Sequence, residues 1–470
     1  MRCVARFKSL KGIIIASAIA VASAPSYADN FTDALIGAYQ TSGLIEQNRA
    51  LLRAADEDVA IAVSQLRPIV DFTASLTQRL TESRSSGLRL PGQDLTTLLA
   101  SLQADLILYD GGGLKFGVDA AKETVLATRQ ALLAIEQIVL LRAAAAYLDV
   151  LLQNENVGVQ QSNLRLLSEE LRAARDRFEV GEVTRTDVAL AESRLAAARS
   201  TLADAQGALR DAQAEYTAAV GRKAHPLEGP PRLPSPPASL EAAEAVALRN
   251  HPDILQRQHQ VAAAELTINV ARAALGPSVL GRAQLSLTEQ LQSSDFGTDA
   301  SLSIILSQRL YQGGGRAATV RRAAAVRDQN RADLLNQRRV ITQGVSDAFV
   351  ALQVAGANLS ASAERVRAAQ VAFDGIREEA TLGARTTLDV LSAEQELLAA
   401  RTAQIQARSQ QLLAGYQLLQ AQGLLTAEKL KLGVQLYDPA AYYNLVKTAP
   451  AHRSKRSRQL DRVLKSLGKN

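Results

Sequence analysis

Arg177-Phe178-Glu179-Val180-Gly181-Glu182-Val183-Thr184-Arg185-Thr186-Asp187-Val188 and Glu379-Ala380-Thr381-Leu382-Gly383-Ala384-Arg385-Thr386-Thr387-Leu388-Asp389-Val390 are two versions of one short stretch. Apolar residues step by three and four into the first version at Leu164, Leu167, Leu171, Ala174 and Phe178. They step out of it the same way at Val188, Ala191, Leu195, Ala198, Leu202, Ala205, Leu209, Ala212 and Tyr216. That is the heptad seam of helices packed nearly parallel, so each stretch reads as the tip of a long helical hairpin. Gly181 and Gly383 can end the incoming helix at a positive φ. Thr184 and Thr386 can cap the outgoing one, with Asp187 and Asp389 at capping-box spacing.

The likeness extends beyond the tips. Tyr147 and Phe349, Glu192 and Glu394, and the runs Leu108-Tyr109-Asp110-Gly111-Gly112-Gly113 and Leu310-Tyr311-Gln312-Gly313-Gly314-Gly315 all lie 202 residues apart, whereas Pro68 and Pro277 are 209 apart. A repeat this long is a duplicated structural unit, not a solenoid of short ones. The first unit spans 29–225 and the second 239–437. Between them, the connector 226–238 holds six of the thirteen prolines, which excludes a helix interior.

Each unit opens with a helix, at about 31–65 and 239–274, and then changes period. Val70, Phe72, Ala74, Leu76 and Leu80 alternate with polar residues, as do Ala100 to Leu108, Val279 to Leu287, and Leu302 to Leu310. These are four period-two strands of roughly the 9–11 residues that cross a bilayer as β, joined in pairs through loop-like segments at 81–97 and 290–299. A soluble sandwich edge alternates in the same way. Four strands are too few to close a barrel and an open sheet cannot sit in lipid, so either the sheet is soluble or several chains pool their strands. The glycine triplets 111–113 and 313–315 read as strand-to-helix turns. They precede helices of about 60 residues, roughly 90 Å at 1.5 Å per residue.

Residues 1–28 read as a secretory signal peptide, with Arg2, Arg6, Lys8 and Lys11 ahead of the apolar stretch Gly12 to Ala22 and small residues before Asp29. The one cysteine, Cys3, falls within it, which leaves no disulfide and no thiol to lipidate. The net charge of +6 is unevenly spread. The tail from Lys447 onward carries eight Lys/Arg against one Asp, so residues 29–446 come to about −5. The tail 438–470 therefore reads as solvated and disordered. With no aromatic platform among its charges, the chain is not expected to bind nucleic acid.

Enzyme chemistry finds no support. His225, His251, His259 and His452 are not at metal-ligand spacing, and no G-x-S-x-G nucleophile motif occurs. The glycine triplets lack the Lys-Ser/Thr of a phosphate loop. No catalytic residue, metal or cofactor is expected.

The signal peptide, the Leu-Tyr-x-Gly-Gly-Gly runs, Asn250-His251-Pro252 and the twin tips together resemble the TolC family of outer-membrane channel-tunnels, over about residues 31–437. The resemblance implies a mixed α and β membrane protein in the bacterial outer membrane with a large periplasmic part. It implies a homotrimer whose twelve-stranded β-barrel in outer-membrane lipid continues into an α-helical coiled-coil tunnel. The tunnel closes at the hairpin tips and opens when a periplasmic adaptor and an inner-membrane transporter dock there. By position the resemblance gives Asp187 and Arg385 to links between neighbouring hairpins and Asp389 to an acidic ring. Gly181, Thr184, Thr186, Gly383, Thr386 and Thr387 fall to the tip turns and adaptor docking. Ala380 stands where a linking tyrosine is often found and Ser392 where a second ring acid can occur, so the ring would carry three charges instead of six. Helix capping alone is the other role open to Asp187 and Asp389. The terminus, with Leu436-Tyr437-Asp438-Pro439 and Tyr442-Tyr443, is similar to that of the type I secretion branch, whose transporter is of the ABC type. Efflux of toxic compounds by a proton-driven pump is the alternative, and an exported coiled-coil protein without a pore the remote one.

Overall fold

The computed structural model describes residues 29–81, 84–85, 88–89, 93–293, 295–452 and 454–466. The signal peptide assigned to 1–28 lies outside them. The first unit runs α1 (Phe31–Thr41), α2 (Gly43–Ser64), β1 (Ile69–Thr81), β2 (Arg84–Ser85), β3 (Leu88–Arg89), β4 (Gln93–Tyr109), α3 (Gly113–Glu179) and α4 (Arg185–Val220). The second runs α5 (Leu240–Asn250), α6 (Pro252–Ala273), β5 (Ser278–Gln290), β6 (Phe296–Ser307), α7 (Gly315–Thr381) and α8 (Thr387–Ala421); α9 (Pro439–Val446) and α10 (Lys455–Ser466) follow.

Each opening helix is broken in two, where the sequence pattern suggested one. In the second unit His251 has extended backbone, its Nδ1 accepts from the Asp253 amide, and Pro252 starts α6. The first unit lacks the proline, yet Ser42 makes the same break, its hydroxyl accepting from the Ile45 amide. A polar side chain that caps the next helix is enough to turn the chain.

The four long strands form one antiparallel meander in the order β1-β4-β5-β6. Its register puts one face in common. Phe72, Leu102 and Leu285 lie in one row, and Val70, Ala104, Ala283 and Leu302 in another. On this face Phe72 is 70 %, Leu302 85 % and Ile304 74 % exposed, a density of bare apolar side chains that water does not tolerate. The opposite face is polar: Thr73 meets Ser101 at 2.6 Å, and the Arg282 guanidinium donates two bonds of 2.8 Å to Asp105. The strands are longer than the alternation suggested, at 13, 17, 13 and 12 residues, and the segment joining β5 to β6 is correspondingly short. β6 ends earlier than its pattern, at Ser307, leaving Leu310 and Tyr311 bare at 89 % and 85 %. The equivalent Tyr109 lies in β4 because β5 pairs with it opposite Val279. Among the described residues, β6 has no such neighbour on its outer side.

Both long helices have 67 residues, about 100 Å at 1.5 Å per residue. Near the strands α3 packs between α2 and α6; further on it packs against α4 and α8, and α7 pairs with α8 and α6. Tyr147 and Tyr216 are fully buried midway. A buried hydroxyl needs a partner, and Tyr147 donates to the Glu228 carbonyl while Tyr416 donates to that of Arg232 at 3.3 Å. These bonds pin the proline-rich connector across the helices. Leu233 fits against Gly415, where a Cβ would stand 2.8 Å from it.

Over its described residues, 438–452 and 454–466, the tail is not the unordered segment its charge suggested. Tyr442 and Val446 of α9 are buried against Ala60 of α2, and Leu460 and Leu464 of α10 pack on the same cluster. Four apolar side chains at helical spacing hold a segment whose mean composition is polar.

Candidate functional site

The hairpin tips lie farthest from the sheet, and both are built identically. Gly181 has φ +80° and Gly383 φ +77°. At each, the following amide bonds back five residues, from Glu182 to Arg177 and from Ala384 to Glu379, both at 2.9 Å. The glycine amides bond back three, at 3.0 and 3.2 Å. Two Schellman motifs therefore end α3 and α7. Two residues further, capping boxes start the return helices. Asp187 Oδ2 accepts from the Thr184 amide (2.9 Å) and hydroxyl (2.7 Å); Asp389 Oδ2 accepts from those of Thr386 at 3.0 and 2.8 Å. The Thr184 hydroxyl and then its amide hold the Asp187 carboxyl below the usual range; for Asp389 the Thr386 amide leads, then its hydroxyl, with Arg385 adding to them. Thr186 is exposed, and Thr387 is half-buried as the first residue of α8.

Both aspartates thus perform the capping role. Arg385 does not reach Asp187 within one chain; its Nε donates to Glu379 Oε2 of its own hairpin at 2.8 Å, which raises its pKa. At the other end of the helices, Gly111 (φ +68°), Gly112 (+82°), Gly313 (+54°) and Gly314 (+77°) make the strand-to-helix turns. Asp110 accepts from the Gly112 and Leu114 amides, and Gln312 in the second copy makes no such cap. Gly113 and Gly315 are the first residues of α3 and α7.

Two features of this end were not picked out from the sequence. Val180 and Leu382, the last residues before the tip glycines, are bare at 71 % and 85 %. Behind the tips the two hairpins of one chain are joined by Leu391 packed on Leu167, Leu171 and Leu195, by Arg194 donating to Gln395 at 2.9 Å, and by Arg377 beside Glu170 at 3.9 Å. Glu394 lies inside this seam, both carboxyl oxygens buried and without a hydrogen-bond partner among the described residues. Burial, reinforced by Glu170 and opposed by Arg377 and Arg194, pushes it up to about 7. Its repeat partner Glu192 instead pairs with Arg175 at the surface. The sequence marks Glu394 as the repeat match of Glu192, and the signal for its burial is the heptad spacing from Leu391 and Leu398, which puts a carboxylate on an apolar stripe.

The sequence profile described as outer membrane efflux protein matches residues 38–222 and 245–424, one segment in each unit. The outer membrane efflux protein BepC of Brucella suis biovar 1 is 33 % identical over 451 residues, covering 94 % of this chain and 96 % of that one. In Pseudomonas aeruginosa, the alkaline protease secretion protein AprF is 27 % identical over 63 % of each chain. The pyoverdine export outer membrane protein OpmQ is 27 % identical over 80 % of this chain and 81 % of its own. Among solved structures, CusC superposes with a TM-score of 0.75 at 19 % identity, covering 83 % of this chain and 91 % of that one. The outer membrane channel CmeC of Campylobacter jejuni gives 0.74 at 16 % identity, with 90 % of each covered. An apolar-faced sheet continued by two duplicated helical hairpins is the fold these channels share. The chain belongs to the outer membrane efflux protein family, the TolC-like channels of the bacterial outer membrane.

Proposed function

We propose that three copies of this chain form the outer-membrane exit duct of a tripartite export system, receiving cargo from an inner-membrane transporter through a periplasmic adaptor. The observation that carries the reading is the four-stranded sheet. One face is bare and apolar, as lipid requires, yet among the described residues nothing pairs with the outer edges of β1 and β6, which lipid does not permit. Pairing β6 of one copy with β1 of the next removes the edges, and three copies give twelve strands. The helices of about 100 Å then continue the bore toward the inner membrane, ending at paired tips whose bare Val180 and Leu382 offer an adaptor an apolar surface. In this reading Arg385 leaves Glu379 for Asp187 of a neighbouring copy to hold the tips together, and three Asp389 carboxylates ring the bore. Gly181, Thr184, Thr186, Gly383, Thr386 and Thr387 form the rim on which the adaptor sits.

For the cargo, we propose polypeptide handed over by an ABC-type transporter, a reading supported by the terminal Leu-Tyr-Asp-Pro signature and by a relative named for protease secretion. Efflux of small compounds is the second reading, favoured by the match along nearly the whole chain to BepC. Deleting the gene and restoring it tests both. Loss of proteins from the culture medium with unchanged drug tolerance supports secretion; hypersensitivity to dyes and detergents with an intact secretome supports efflux. If neither changes while the protein is otherwise well expressed, the duct reading fails.

A further inference from the structure

The basic tail contributes to none of the features above, yet the structure gives it a defined place. Asp438 caps α9, its carboxylate accepting from the Ala440 amide at 2.8 Å. α9 lies along α2, where the Tyr442 hydroxyl donates to Glu57 at 2.6 Å. The chain then reaches the foot of the sheet: Arg67, two residues before β1, donates from both terminal nitrogens to the carbonyls of Thr448 and Ala449. Val70, the second residue of β1, already belongs to the bare apolar face at 60 % exposure. At about 3.3 Å per residue, Arg67 itself stands at most about 10 Å along the chain from Val70, and its side chain carries the Thr448–Ala449 anchor.

From this anchor α10 folds back onto α9. Ser457, Leu460, Val463 and Leu464 face inward, while Lys455, Arg456, Arg458, Arg462 and Lys465 are exposed. Asp461 is the one acid of the helix, and among the described residues none of the five cations has an ion-pair partner. Arg456 also touches the Thr448 hydroxyl, which ties the helix to its anchor. With its apolar face packed on α9, α10 turns its cations outward, and a cationic face beside an apolar belt suits an anionic bilayer surface.

We propose that α10 is a lipid-recognition element that binds the headgroups of anionic phospholipids in the periplasmic leaflet of the outer membrane. A membrane is favoured over a soluble partner because Arg67, three residues before the first side chain of the apolar belt, ties the tail to the start of the lipid-facing strand. Attraction between charges is strong there, the screening length at physiological salt being about 8 Å. The inference rests on the membrane placement of the sheet given above.

The test is native mass spectrometry of the full-length protein in detergent, incubated with equal amounts of phosphatidylglycerol and phosphatidylcholine. The wild type is compared with the triple variant Arg458→Gln, Arg462→Gln, Lys465→Gln, all exposed positions, and with a charge-preserving variant Arg458→Lys, Arg462→Lys. The wild type and the lysine variant should retain phosphatidylglycerol over phosphatidylcholine by about tenfold. The triple variant should fall to near parity, and 0.5 M salt should reduce the wild-type preference in the same direction. Equal retention of both lipids by the wild type, or an undiminished preference in the triple variant, overturns the proposal. Retention of neither lipid by any variant overturns instead the membrane reading of the sheet. A preference lost only on adding a soluble adaptor or peptidoglycan fragments would assign the basic face to that partner and overturn the lipid role.

Discussion

At the scale of single residues, a carboxylate buried without a partner is the costliest group in the fold, and this chain keeps more than one. Asp56 is fully buried with both oxygens unsatisfied among the described residues, and burial raises it to about 6; Glu394 in the seam between hairpins is raised to about 7. Such groups hold their proton longer in the folded state than in the unfolded one, where Glu394 titrates near 4.5. Their protonated forms suit the fold, so the stability associated with Glu394 is fully present below about pH 4.5 and is lost as pH rises through about 7. Glu394→Gln should therefore raise the thermal midpoint at pH 8, leave it nearly unchanged at pH 4.5, and flatten the slope between. Near-ultraviolet circular dichroism of the detergent-solubilised protein, which relies here on tyrosine, measures it. A pH profile identical to wild type would show that water or a neighbouring copy already satisfies Glu394. The residues most visible in the sequence, Asp187 and Asp389, behave oppositely: half-buried and capping, they sit below the usual carboxylate range because the threonine donors favour the charged form.

At the scale of elements, the duplication governs the sheet as well as the helices. The β1–β4 register, shifted by the two repeat offsets, reproduces the β5–β6 register: Ala74 opposite Ala100 becomes Ala283 opposite Leu302. The same operation on β4–β5, in which Leu102 faces Leu285, gives the one junction that a single chain cannot contain. It sets Ile304 of one copy opposite Leu76 of the next, and Leu306 opposite Ala74, each pair sharing the apolar face. Cysteines at Leu76 and Ile304 should thus crosslink copies into a covalent trimer under mild oxidation. Cysteines at Leu76 and Ile305 should not, because a one-residue slip points the side chains to opposite faces. Efficient crosslinking of the second pair would overturn the register. An independent check on the phase is Leu285→Arg, which should cost about 2–4 kcal/mol if that side chain faces the bilayer midplane, read as loss of assembled trimer from outer membranes. Periodicity makes the strands and hairpins legible in the sequence, because a period of two and a heptad are properties of one chain. Helix breaks are less legible: Ser42 turns the chain with a capping side chain alone, whereas the eye is drawn to Pro252. The order of the tail is hidden for a similar reason, since Tyr442, Val446, Leu460 and Leu464 are too few to shift the mean composition yet meet on one surface of α2. The early end of β6 is not legible at all, because it depends on a partner strand that belongs to another copy.

At the scale of the whole molecule, each hairpin faces two kinds of neighbour, and opening must treat them differently. Within a chain the hairpins are joined by an apolar seam, Leu391 on Leu167 and Leu171, with Arg194–Gln395 and Arg377–Glu170 alongside. Cores of this kind do not slide cheaply. Between chains, the tips offer polar groups: the half-buried Asp187, with Oδ1 outside its capping bonds, and the exposed Arg385, which Glu379 holds only at the surface. Exposed ion pairs exchange partners at small cost, so the weak link belongs between copies and the strong one within them. In the proposed duct, that division would let an adaptor move whole pairs of hairpins outward without unpacking any chain. Arg385→Ser should then raise single-channel conductance in a planar bilayer, while Arg194→Ser, which weakens the internal seam, should change it far less. Combining Arg385→Ser with Asp187→Asn should add little to Arg385→Ser alone, since both remove the same link; asparagine keeps an acceptor for the Thr184 cap. Asp389→Asn should reduce block by multivalent cations from the periplasmic side if the carboxylates ring the bore as proposed, since such a ring concentrates cations. Unchanged conductance for Arg385→Ser in protein of trimeric mass, or a larger effect from Arg194→Ser, would place the moving joint inside the chain and leave the tip residues to capping alone.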